Sequence, residues 1–547
     1  MLWSETHWPD VILRSELTFA PNGVAVVRHQ LSNVGSDIQH WDIDMTGALR
    51  DTTRRFQRDA GGVYCTFRDA ELKIKAAHDK YYFKNSTLQG SSFVHDIDDV
   101  ALAPGQTWNK LMTLDLRFFT GGFDRINYRD LDFVFDENQT RWQKMLAPYA
   151  TKFAEHEELY KLSAKCLTTL MANWKRPAGQ LKHDGLFPSN HEEWFHGIWA
   201  WDSWKHAAAL AQIDPHLAKE QVRAMFVFQN EAGMVADCAF RDPDIEETNW
   251  ENTKPPLATW AVKMIHDATG DDDFVVEMMP QLIAYHQWWE RRRNHDPNQM
   301  FAYGSENSSK KTALWESGMD NAVRFDYAGY FVFPPNYYGA LDFKNVDLNC
   351  YLYQEQLLIE ELLEKTSSTE EFPFERLFSE NPVDYFWSKN DKFFFEVRQN
   401  EKIAPSFVKI KGPESLAPLF TQTCSQSQAK DVVDVMMTDS IFNTYVPFPT
   451  VDATHDKFDP QEGYWRGPVW IDQAYFGVKG MRNYGFEKEA NAQTLKLIHN
   501  AEGILGNAPL RENYNPLTGE GLNAKHFSWT AACLLLMLDD LTLDAEQ

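Results

Sequence analysis

The sequence of 547 residues is poor in positive charge, with 53 lysines and arginines against 79 aspartates and glutamates and a formal net charge of −26. Proteins that bind nucleic acid or an anionic membrane surface carry basic patches, so this balance argues against both kinds of partner. The one basic run, residues 291–293, is typical of the solvated end of a helix.

Cysteine and long apolar runs are scarce as well. The six cysteines are widely scattered, without the spacing of a metal site or of a disulfide framework. No window of 18 residues is uninterruptedly apolar, which argues against a membrane span. The first residues lack a basic region followed by an apolar run, so we expect no signal peptide and a cytoplasmic protein, or a periplasmic one if the native N-terminus is longer. Nothing in the sequence indicates an oligomeric state.

Aromatic residues are abundant, at 14% of the chain, with 19 tryptophans, 20 tyrosines and 37 phenylalanines. Sugar C–H faces stack on aromatic rings, so this content is typical of a carbohydrate cleft. A large aromatic core is an equally good explanation from composition alone. The positions of the rings have to decide between the two.

Residues 1–140 are predicted to form an antiparallel β-sandwich domain. Strand-like runs at residues 11–19 and 24–27 flank the tight-turn sequence Pro-Asn-Gly at residues 21–23. We find no catalytic constellation in this region.

Residues 141–547 are predicted to be mainly helical, with about twelve helices. Asp214 followed by Pro215 marks one helix start, and Pro382 marks another. The loops between helices are long and rich in Trp, Gly, Pro and Asn, and long loops usually carry function. A toroid of six inner and six outer helices, with the loops forming a cleft at one end, fits this pattern.

The stretch of residues 313–325 contains Trp315, Glu316, Gly318 and Asp320. We expect a loop that enters a helix, with Gly318 at the bend. A carboxyl group beside an aromatic wall is kept protonated near neutral pH, as a general acid requires. An acid that caps a helix N-terminus is the competing interpretation.

Four further loops concentrate aromatic and polar groups. Residues 194–204 contain four tryptophans and Asp202, which suits a sugar platform and would be costly to bury unpaired. Residues 249–256 form a polar loop that ends at a helix start. In residues 464–470 an arginine lies between tryptophans, where it could clamp a carboxylate or a hydroxyl pair. Residues 511–519 place Glu512 among polar groups, an environment that favours an ionised base.

These motifs, taken in order, resemble glycoside hydrolase family 63, especially its bacterial α-glucosidases, and more distantly the family 37 trehalases. The matching segments are residues 199–204 (WAWDSW), 252–255 (NTKP), 315–320 (WESGMD), 346–349 (VDLN), 464–467 (YWRG) and 512–519 (ENYNPLTG). The resemblance covers about residues 150–547. It implies an (α/α)6 barrel after a β-sandwich, and inverting hydrolysis of an α-glucosidic bond.

By motif position, the resemblance implies that Asp320 is the general acid, Glu512 the general base and Asp202 an acid of the sugar subsite. Inverting enzymes hold the two catalytic carboxyls ~6.5–9.5 Å apart, which leaves room for a water. The expected substrate-binding residues are Asp202, Trp199, Trp201, Trp315, Glu316, Asn252, Lys254, Tyr464, Trp465 and Arg466. No cofactor is implied, and residues 296–300 lack the acids of a calcium site, so no metal is expected.

The substrate stays open at this point. Short α-glucosides, including trehalose-type sugars, and glucosyl- or mannosyl-glycerate are all candidates, the last with its carboxylate held by Arg466. A phosphorylase would use phosphate instead of the water activated by Glu512, and no glycine-rich phosphate loop is present. A carbohydrate-binding protein without activity is the non-enzyme alternative, but it would be free to lose Asp320 or Glu512, and both are present.

Overall fold

The structure, a computed structural model, describes residues 2–19, 25–48, 54–59, 62–66, 70–76, 87–118, 131–244, 246–294, 300–333, 338–369, 371–400 and 403–543. The chain forms two compact units, Met1–Pro148 and Tyr149–Gln547.

The first unit is built from antiparallel strands. They are β1 (Leu2–Trp8), β2 (Val11–Phe19), β3 (Ala25–Asn33), β4 (Gln39–Ala48), β5 (Gln57–Asp59), β6 (Gly62–Thr66), β7 (Ala70–Ala76), β8 (Thr87–Gln89), β9 (Ser92–Leu102) and β10 (Thr107–Phe118). Seven form a sheet in the order β1-β2-β3-β10-β7-β6-β5, and three form a second sheet in the order β4-β9-β8. The predicted antiparallel β region is therefore confirmed.

The two sheets share hydrophobic side chains. Val63 and Ile74 of the larger sheet pack in one cluster with Phe93 of the smaller sheet. A second cluster joins Val11 of the larger sheet to Leu102 of the smaller one. Burying apolar area between two layers is what stabilises such an arrangement. The predicted turn at residues 21–23 lies outside the described residues.

Thirteen helices are found in the described part of the chain. They are α1 (Leu131–Lys152), α2 (Glu157–Asn173), α3 (Ala200–Leu210), α4 (Pro215–Phe226), α5 (Ala258–Thr269), α6 (Asp272–Arg293), α7 (Lys310–Glu316), α8 (Val346–Lys365), α9 (Ala417–Phe420), α10 (Gln426–Met436), α11 (Ile471–Asn483), α12 (Glu487–Asn500) and α13 (Ser528–Asp540). None of these helices combines the length and the apolar character that crossing a membrane requires.

Short strands lie in the loops between the helices of the second unit. They are β11 (Trp174–Lys175), β12 (Gly185–Leu186), β13 (Gly197–Trp199), β14 (Cys238–Phe240), β15 (Gly304–Ser305), β16 (Tyr330–Phe333), β17 (Tyr338–Leu341), β18 (Phe343–Lys344), β19 (Trp387–Ser388), β20 (Phe393–Phe394), β21 (Glu396–Asn400), β22 (Ile403–Val408), β23 (Arg511–Tyr514) and β24 (Gly521–Lys525). They pair as hairpins and small sheets, so the loops have a defined backbone geometry.

Of the two helix starts named from the sequence, one is confirmed and the other is not. Asp214 caps α4, since its carboxylate accepts a hydrogen bond from the backbone N–H of Leu217 at 3.2 Å, and Pro215 is the first helical residue. The prediction of a helix that begins at Pro382 is wrong. Only a single 3-10 turn, Val383–Phe386, forms there, because the chain turns directly into the hairpin of β19 and β20.

Six helices of the second unit contact one another in a closed ring. α3 packs on α5, α5 on α8, α8 on α9, α9 on α11, α11 on α13, and α13 again on α3. Every residue of α3 is buried, as are the first eleven residues of α13. A helix buried on all sides lies inside a core, so ring helices carry polar groups only where those groups are paired or functional.

The sequence motifs precede or enter the N-terminal ends of these ring helices. Trp199, Leu257, Asn345, Trp470 and Phe527 are the residues immediately before α3, α5, α8, α11 and α13. Several of the loops that lead into these helices contact one another: the backbone N–H of Ala200 donates to the carbonyl of Asp237 at 2.9 Å, and Lys254 donates to the carbonyl of Trp315 at 2.5 Å. This is where the candidate site is assembled.

A buried arginine ties three of the loops together. The guanidinium of Arg324 binds the carboxylate of Asp347 on α8 at 2.7 Å and also pairs with Glu396 on β21. The other carboxylate oxygen of Glu396 accepts the backbone N–H of Val346 at 2.8 Å. All three side chains are fully buried, so the pairs compensate the cost of removing their charges from water.

We predict that Arg324→Met lowers the free energy of unfolding by ~3–5 kcal/mol, because it leaves buried carboxylates without a cation. Urea unfolding followed by tryptophan fluorescence measures the change. The matched control is Arg376→Met, which removes an exposed arginine paired with Glu360 and should cost much less, because solvent screens an exposed pair. Equal losses for the two variants would contradict this account.

Candidate active site

The first turn of α3 carries the first group of predicted site residues. β13 pairs with β14 and delivers Trp199 to the start of the helix. Trp199 is half-buried and packs edge-on against Phe240, with ring centroids 5.4 Å apart. Trp201 is buried instead, and it packs edge-on against Trp529 at 5.4 Å. The two neighbouring tryptophans therefore differ in exposure, and only Trp199 presents an accessible ring edge.

Four buried tryptophans form one cluster under the loops: Trp201, Trp465, Trp470 and Trp529. The rings of Trp465 and Trp470 are stacked at 4.0 Å with an angle of 6° between their planes. Offset and edge-on aromatic pairs gain energy beyond their buried area, so this tryptophan cluster is a rigid floor.

The ammonium group of Lys205 lies within this floor. It is 3.4 Å from the ring centroid of Trp201 and 3.9 Å from that of Trp529. Its ion-pair partner is the buried carboxylate of Asp472 at 2.5 Å. A cation over two desolvated aromatic faces is strongly held. Lys205 therefore holds the ring of Trp201 in place. Trp201 directly precedes Asp202 in the sequence.

Asp202 is buried at the edge of the tryptophan cluster. Burial raises the pKa of its carboxyl to about 7, although Lys205 and Lys254 act in the opposite direction. Removing the ionised form from water is the dominant effect, and the carboxylates of Asp472 and Asp237 add to it. A carboxyl group in this state can both donate and accept hydrogen bonds toward a sugar hydroxyl.

The turn that carries Asp320 differs from the sequence expectation. The stretch was expected to be a loop that enters a helix, but α7 comes first and the turn follows it. Ser309 caps α7 by accepting the backbone N–H of Thr312 at 3.4 Å, a start signal that lies upstream of the stretch considered. The predicted bend at Gly318 is confirmed, since its φ is +75°.

Gly318 also lies against the tryptophan cluster. A methyl group on its Cα would lie 2.3 Å from the Cζ2 atom of Trp201, far inside van der Waals contact. Both the left-handed backbone and the close ring therefore require glycine here. The position of Asp320, two residues later, is set by contact with the floor of the site.

Asp320 is half-buried, and burial raises the pKa of its carboxyl to about 6. The ammonium of Lys254 opposes this rise, and the carboxylate of Asp237 contributes to it. With this pKa roughly one tenth of Asp320 is protonated at pH 7, far more than for an exposed aspartate, and the protonated form is the one that can donate a proton.

Glu512 lies on β23 and is 4% exposed. Its carboxylate accepts the hydroxyl of Tyr464 at 3.1 Å and the backbone N–H of Ala524 at 3.1 Å. The polar surroundings expected from the sequence are present, but burial outweighs them and raises the pKa of Glu512 to about 7. The charge of Asp320 also contributes to this rise, so the two carboxyls interact.

Tyr464 lies near all three acids and is hydrogen-bonded to one of them, Glu512. Burial raises its pKa well above the ordinary value, and the nearby carboxylates of Glu512, Asp320 and Asp202 raise it further. Its phenol therefore stays protonated and available as a donor. Its φ of +59° is unusual for a tyrosine, and its carbonyl accepts the indole N–H of Trp470 at 2.9 Å. The strained backbone is held in place by the tryptophan cluster.

Asn321 connects the turn of Asp320 to the loop of Tyr464. Its amide donates to the carbonyl of Gly463 at 3.1 Å, and its side-chain oxygen accepts the backbone N–H of Trp465 at 3.0 Å. An aspartate could not make the first of these bonds, because a carboxylate has no donor.

Arg466 reinforces the same connection. Its Nε atom donates to the carbonyl of Asn321 at 2.8 Å, and its two terminal nitrogens bind the carboxylate of Asp326 at 3.0 and 2.5 Å. The guanidinium thus joins two loops of the protein. Its predicted role toward a ligand carboxylate stays a prediction.

Three other predicted residues are buried and bind groups of the protein. Glu316 is fully buried and paired with Arg293 at 2.6 Å. Asn252 is also fully buried and donates to the carbonyl of its neighbour Thr253 at 2.8 Å. The ammonium of Lys254 donates to the carbonyl of Trp315 at 2.5 Å. Their contacts stabilise the loops that carry the site residues.

Trp315 completes the predicted set and differs from the buried tryptophans. It is half-buried, and the ammonium of Lys311 lies 4.5 Å from its ring centroid. An accessible ring of this kind is suited to stack on a sugar.

Sequence reasoning missed two residues that the structure places here. Asp237 pairs with Lys254 at 3.1 Å, and Lys205 lies under Trp201. Asp237 stands in an ordinary apolar segment, and Lys205 looks like any helical lysine, so neither carries a local signal.

In the part of the chain that the structure describes, no group of three or more His, Cys, Asp or Glu side chains is arranged to hold a metal ion. Residues 296–299, most of the segment considered for a calcium site, lie outside it.

Comparison with known proteins identifies similar sequences and structures. Residues 195–530 match the model of the mannosylglycerate hydrolase MGH1-like glycoside hydrolase domain. The mannosylglycerate hydrolase of Thermus thermophilus is 25% identical over 445 residues, which are 68% of this chain and 99% of that protein. Mannosylglycerate hydrolase MGH1 of Selaginella moellendorffii is 23% identical, over 71% of this chain and 89% of that protein.

A solved structure also shares the fold. The GH63 mannosylglycerate hydrolase from Thermus thermophilus, in complex with Tris and D-glycerate, superposes with a TM-score of 0.54 and 22% identity. The match covers 68% of this chain and 99% of that one.

We predict that Gly318→Ala lowers the catalytic rate constant at least ~10-fold more than Gly485→Ala does. Both glycines have φ near +80°, so both variants carry the same backbone strain, but a methyl at Gly485 meets no atom within 4 Å. At Gly318 the methyl pushes against Trp201 and displaces Asp320, and misplacing a reacting group by ~1 Å can cost ~10²-fold. Steady-state kinetics of the two variants would refute this if they were equally active.

Proposed function

Because the chain belongs to the mannosylglycerate hydrolase MGH1-like group of glycoside hydrolase family 63, we propose that it hydrolyses the α-glycosidic bond of a small hexoside with inversion. The observation that carries the proposal is the grouping of Asp320, Glu512 and Asp202 around Tyr464. Asp320 and Glu512 are far apart in the sequence but interact with each other in the fold, and burial raises the pKa of both carboxyls.

In the proposed reaction Asp320 is the general acid. Its proton goes to the glycosidic oxygen as the bond from that oxygen to the anomeric carbon breaks. Glu512 is the general base and takes a proton from the water that attacks the opposite face of the sugar. The products are a free hexose and the released alcohol. The proton lost from Asp320 is balanced by the proton gained by Glu512, and exchange with water resets the pair.

The remaining predicted residues form the sugar site in this proposal. Asp202 binds sugar hydroxyls, and Trp199 and Trp315 offer accessible rings beside it. Tyr464 orients Glu512 through its hydroxyl. Trp201, Trp465, Glu316, Asn252, Lys254 and Arg466 hold these groups in position, since their polar atoms or rings already contact the protein.

The fold belongs to the same proposal. The closed ring of α3, α5, α8, α9, α11 and α13 is taken as the inner layer of an (α/α)6 barrel formed by residues 141–547. Helices α2, α4, α6 and α12, which pack on ring members, belong to its outer layer. Residues 1–140 are taken as a β-sandwich domain.

For the substrate we propose an α-hexosyl-glycerate. Both curated relatives described above are mannosylglycerate hydrolases, and the solved relative binds D-glycerate. The sequence motifs alone implied an α-glucosidic bond and left short α-glucosides and hexosyl-glycerates open as substrates. The two substrate classes differ in the charge of the leaving alcohol, so they can be separated by experiment.

We predict that Asp320→Asn and Glu512→Gln each lower the hydrolysis rate by ~10³-fold while the hexose product still binds. Each variant removes one proton-transfer step and keeps the size of the side chain. Steady-state kinetics, with glucose or mannose binding measured by calorimetry, check both parts. The control is Asp434→Asn, which removes an exposed acid paired with Lys430 on α10. Near-normal turnover in either catalytic variant would refute the assignment.

We predict that the first product has β-configuration at its anomeric carbon. A panel of mannosyl-glycerate, glucosyl-glycerate, nigerose, kojibiose and trehalose should show the highest kcat/KM for a hexosyl-glycerate. Proton NMR of the fresh hydrolysate then reads the configuration before mutarotation. An α-product would exclude inversion, and hydrolysis of the neutral disaccharides alone would exclude the glycerate substrate.

A further inference from the structure

We propose that Asp237 and Lys254 form a buried positioning pair that sets the protonation of Asp320 without contacting the substrate. The inference rests on the proposed role of Asp320 as the general acid. It assigns a function to Asp237, which belongs to none of the sequence motifs, and gives Lys254 a role other than sugar binding.

The ammonium of Lys254 is already held by the protein. Its side chain is almost completely buried, and its Nζ atom donates to the carbonyl of Trp315 at 2.5 Å. The same nitrogen lies 3.1 Å from the Oδ1 atom of Asp237. Trp315 lies in the last turn of α7, the helix that leads into the turn of Asp320, so Lys254 is bonded to the backbone that carries the acid. Two of the three donors of this buried ammonium are therefore directed at the protein.

Asp237 is attached to the other side of the site. Its Oδ2 atom accepts the amide of Asn249 at 3.0 Å, and its backbone carbonyl accepts the backbone N–H of Ala200 at 2.9 Å. Ala200 is the first residue of α3, the helix that carries Asp202. The pair of Asp237 and Lys254 therefore links α3 to the turn of Asp320 through buried, charged contacts.

The two charges act on Asp320 with opposite sign. Besides burial, the groups that act on the pKa of Asp320 are Lys254, Asp237 and Lys311, and Glu512 and Tyr464 share its surroundings. Lys254 lowers the pKa and has a larger effect than Asp237, which raises it. Asp202 experiences the same two opposing charges. The ion pair thus provides a small net stabilisation of the ionised acid, which leaves the pKa near neutral.

The sign of each substitution follows from these charges. Asp237→Asn removes a negative charge while Lys254 stays cationic, so the proton is bound less tightly and the pKa of Asp320 falls. Lys254→Met removes the positive charge, so the pKa of Asp320 rises. The double variant removes both charges and should lie between the two single variants. A purely structural role would shift all three in the same direction or not at all.

The first measurement needs no substrate. Infrared titration of the carboxyl band, taken as the difference between each protein and its Asp320→Asn counterpart, reports the pKa of Asp320 directly. We expect a fall of about one pH unit for Asp237→Asn and a rise of about one unit for Lys254→Met, each a tenfold change in proton affinity. Asp244→Asn is the control, because it removes an exposed acid from the same loop.

The second measurement is the pH dependence of kcat/KM on the substrate that the panel identifies. With pKa values of about 6 for Asp320 and about 7 for Glu512, both carboxyls hold protons at low pH and neither does at high pH. Activity should therefore be highest between these values, where the pair shares one proton. The acidic limb of the bell, set by Asp320, should move to lower pH in Asp237→Asn and to higher pH in Lys254→Met, while the basic limb, set by Glu512, stays near its wild-type position.

Shifts in opposite directions, with the double variant between them, would establish the pair. Shifts of the same sign, or none, would overturn it. If Lys254→Met does not fold, the other two variants still test the direction of the shift. The pKa of Asp320 should fall in Asp237→Asn and be higher than that in the double variant, whose buried pair is neutral. If the wild type hydrolyses none of the panel, the proposed function fails, whereas the infrared titration still tests the pair.

Discussion

The contact between Tyr464 and Glu512 is the interaction on which the candidate site depends. A tyrosine with a positive φ places its hydroxyl on the base, and the same side chain lies close enough to Asp320 and Asp202 to respond to their charges. The left-handed backbone is unfavourable for a residue with a Cβ and persists only where its surroundings fix it. Here the tryptophan cluster does so through Trp470, and Asn321 and Arg466 tie the loop to the turn of the acid.

Buried charge is handled in two ways in the second unit. Lys205, Lys254, Arg293 and Arg324 each have a carboxylate partner in a direct ion pair. By contrast, none of the ion pairs formed within the described ranges includes Asp202, Asp320 or Glu512. Carboxyls that are buried without a direct cation have raised pKa values, because the neutral form is the one that burial favours. Burial also raises the pKa values of the paired carboxyls of Glu316, Asp237 and Glu396, so the absence of a direct cation, and not the raised pKa, distinguishes the three site acids.

The sequence predicted the antiparallel N-terminal region and the helical character of the second unit. These features follow from local patterns, such as the cap at Asp214 and the glycine at Gly318. The helix α7 was missed because its cap, Ser309, lies just upstream of the stretch considered. The contacts of Asp237, Lys205 and Arg466 could not be predicted, since each partner lies on another loop or helix. Only tertiary structure brings an ordinary aspartate such as Asp237 next to Lys254.

The position of the site at the N-terminal ends of the ring helices has an electrostatic consequence. Helix N-termini carry partial positive charge, and a positive potential opposes the oxocarbenium-like transition state of glycoside hydrolysis. The three carboxyls supply the compensating negative charge, but only in proportion to how far they are ionised. Burial shifts Asp202 and Glu512 to pKa values of about 7, so the site holds protons at rest. In the proposed reaction Asp320 becomes ionised as it gives its proton to the leaving oxygen, while Glu512 gains a proton from the attacking water. The total negative charge of the two carboxyls is therefore unchanged, and the charge moves from the base to the acid, next to the bond that breaks.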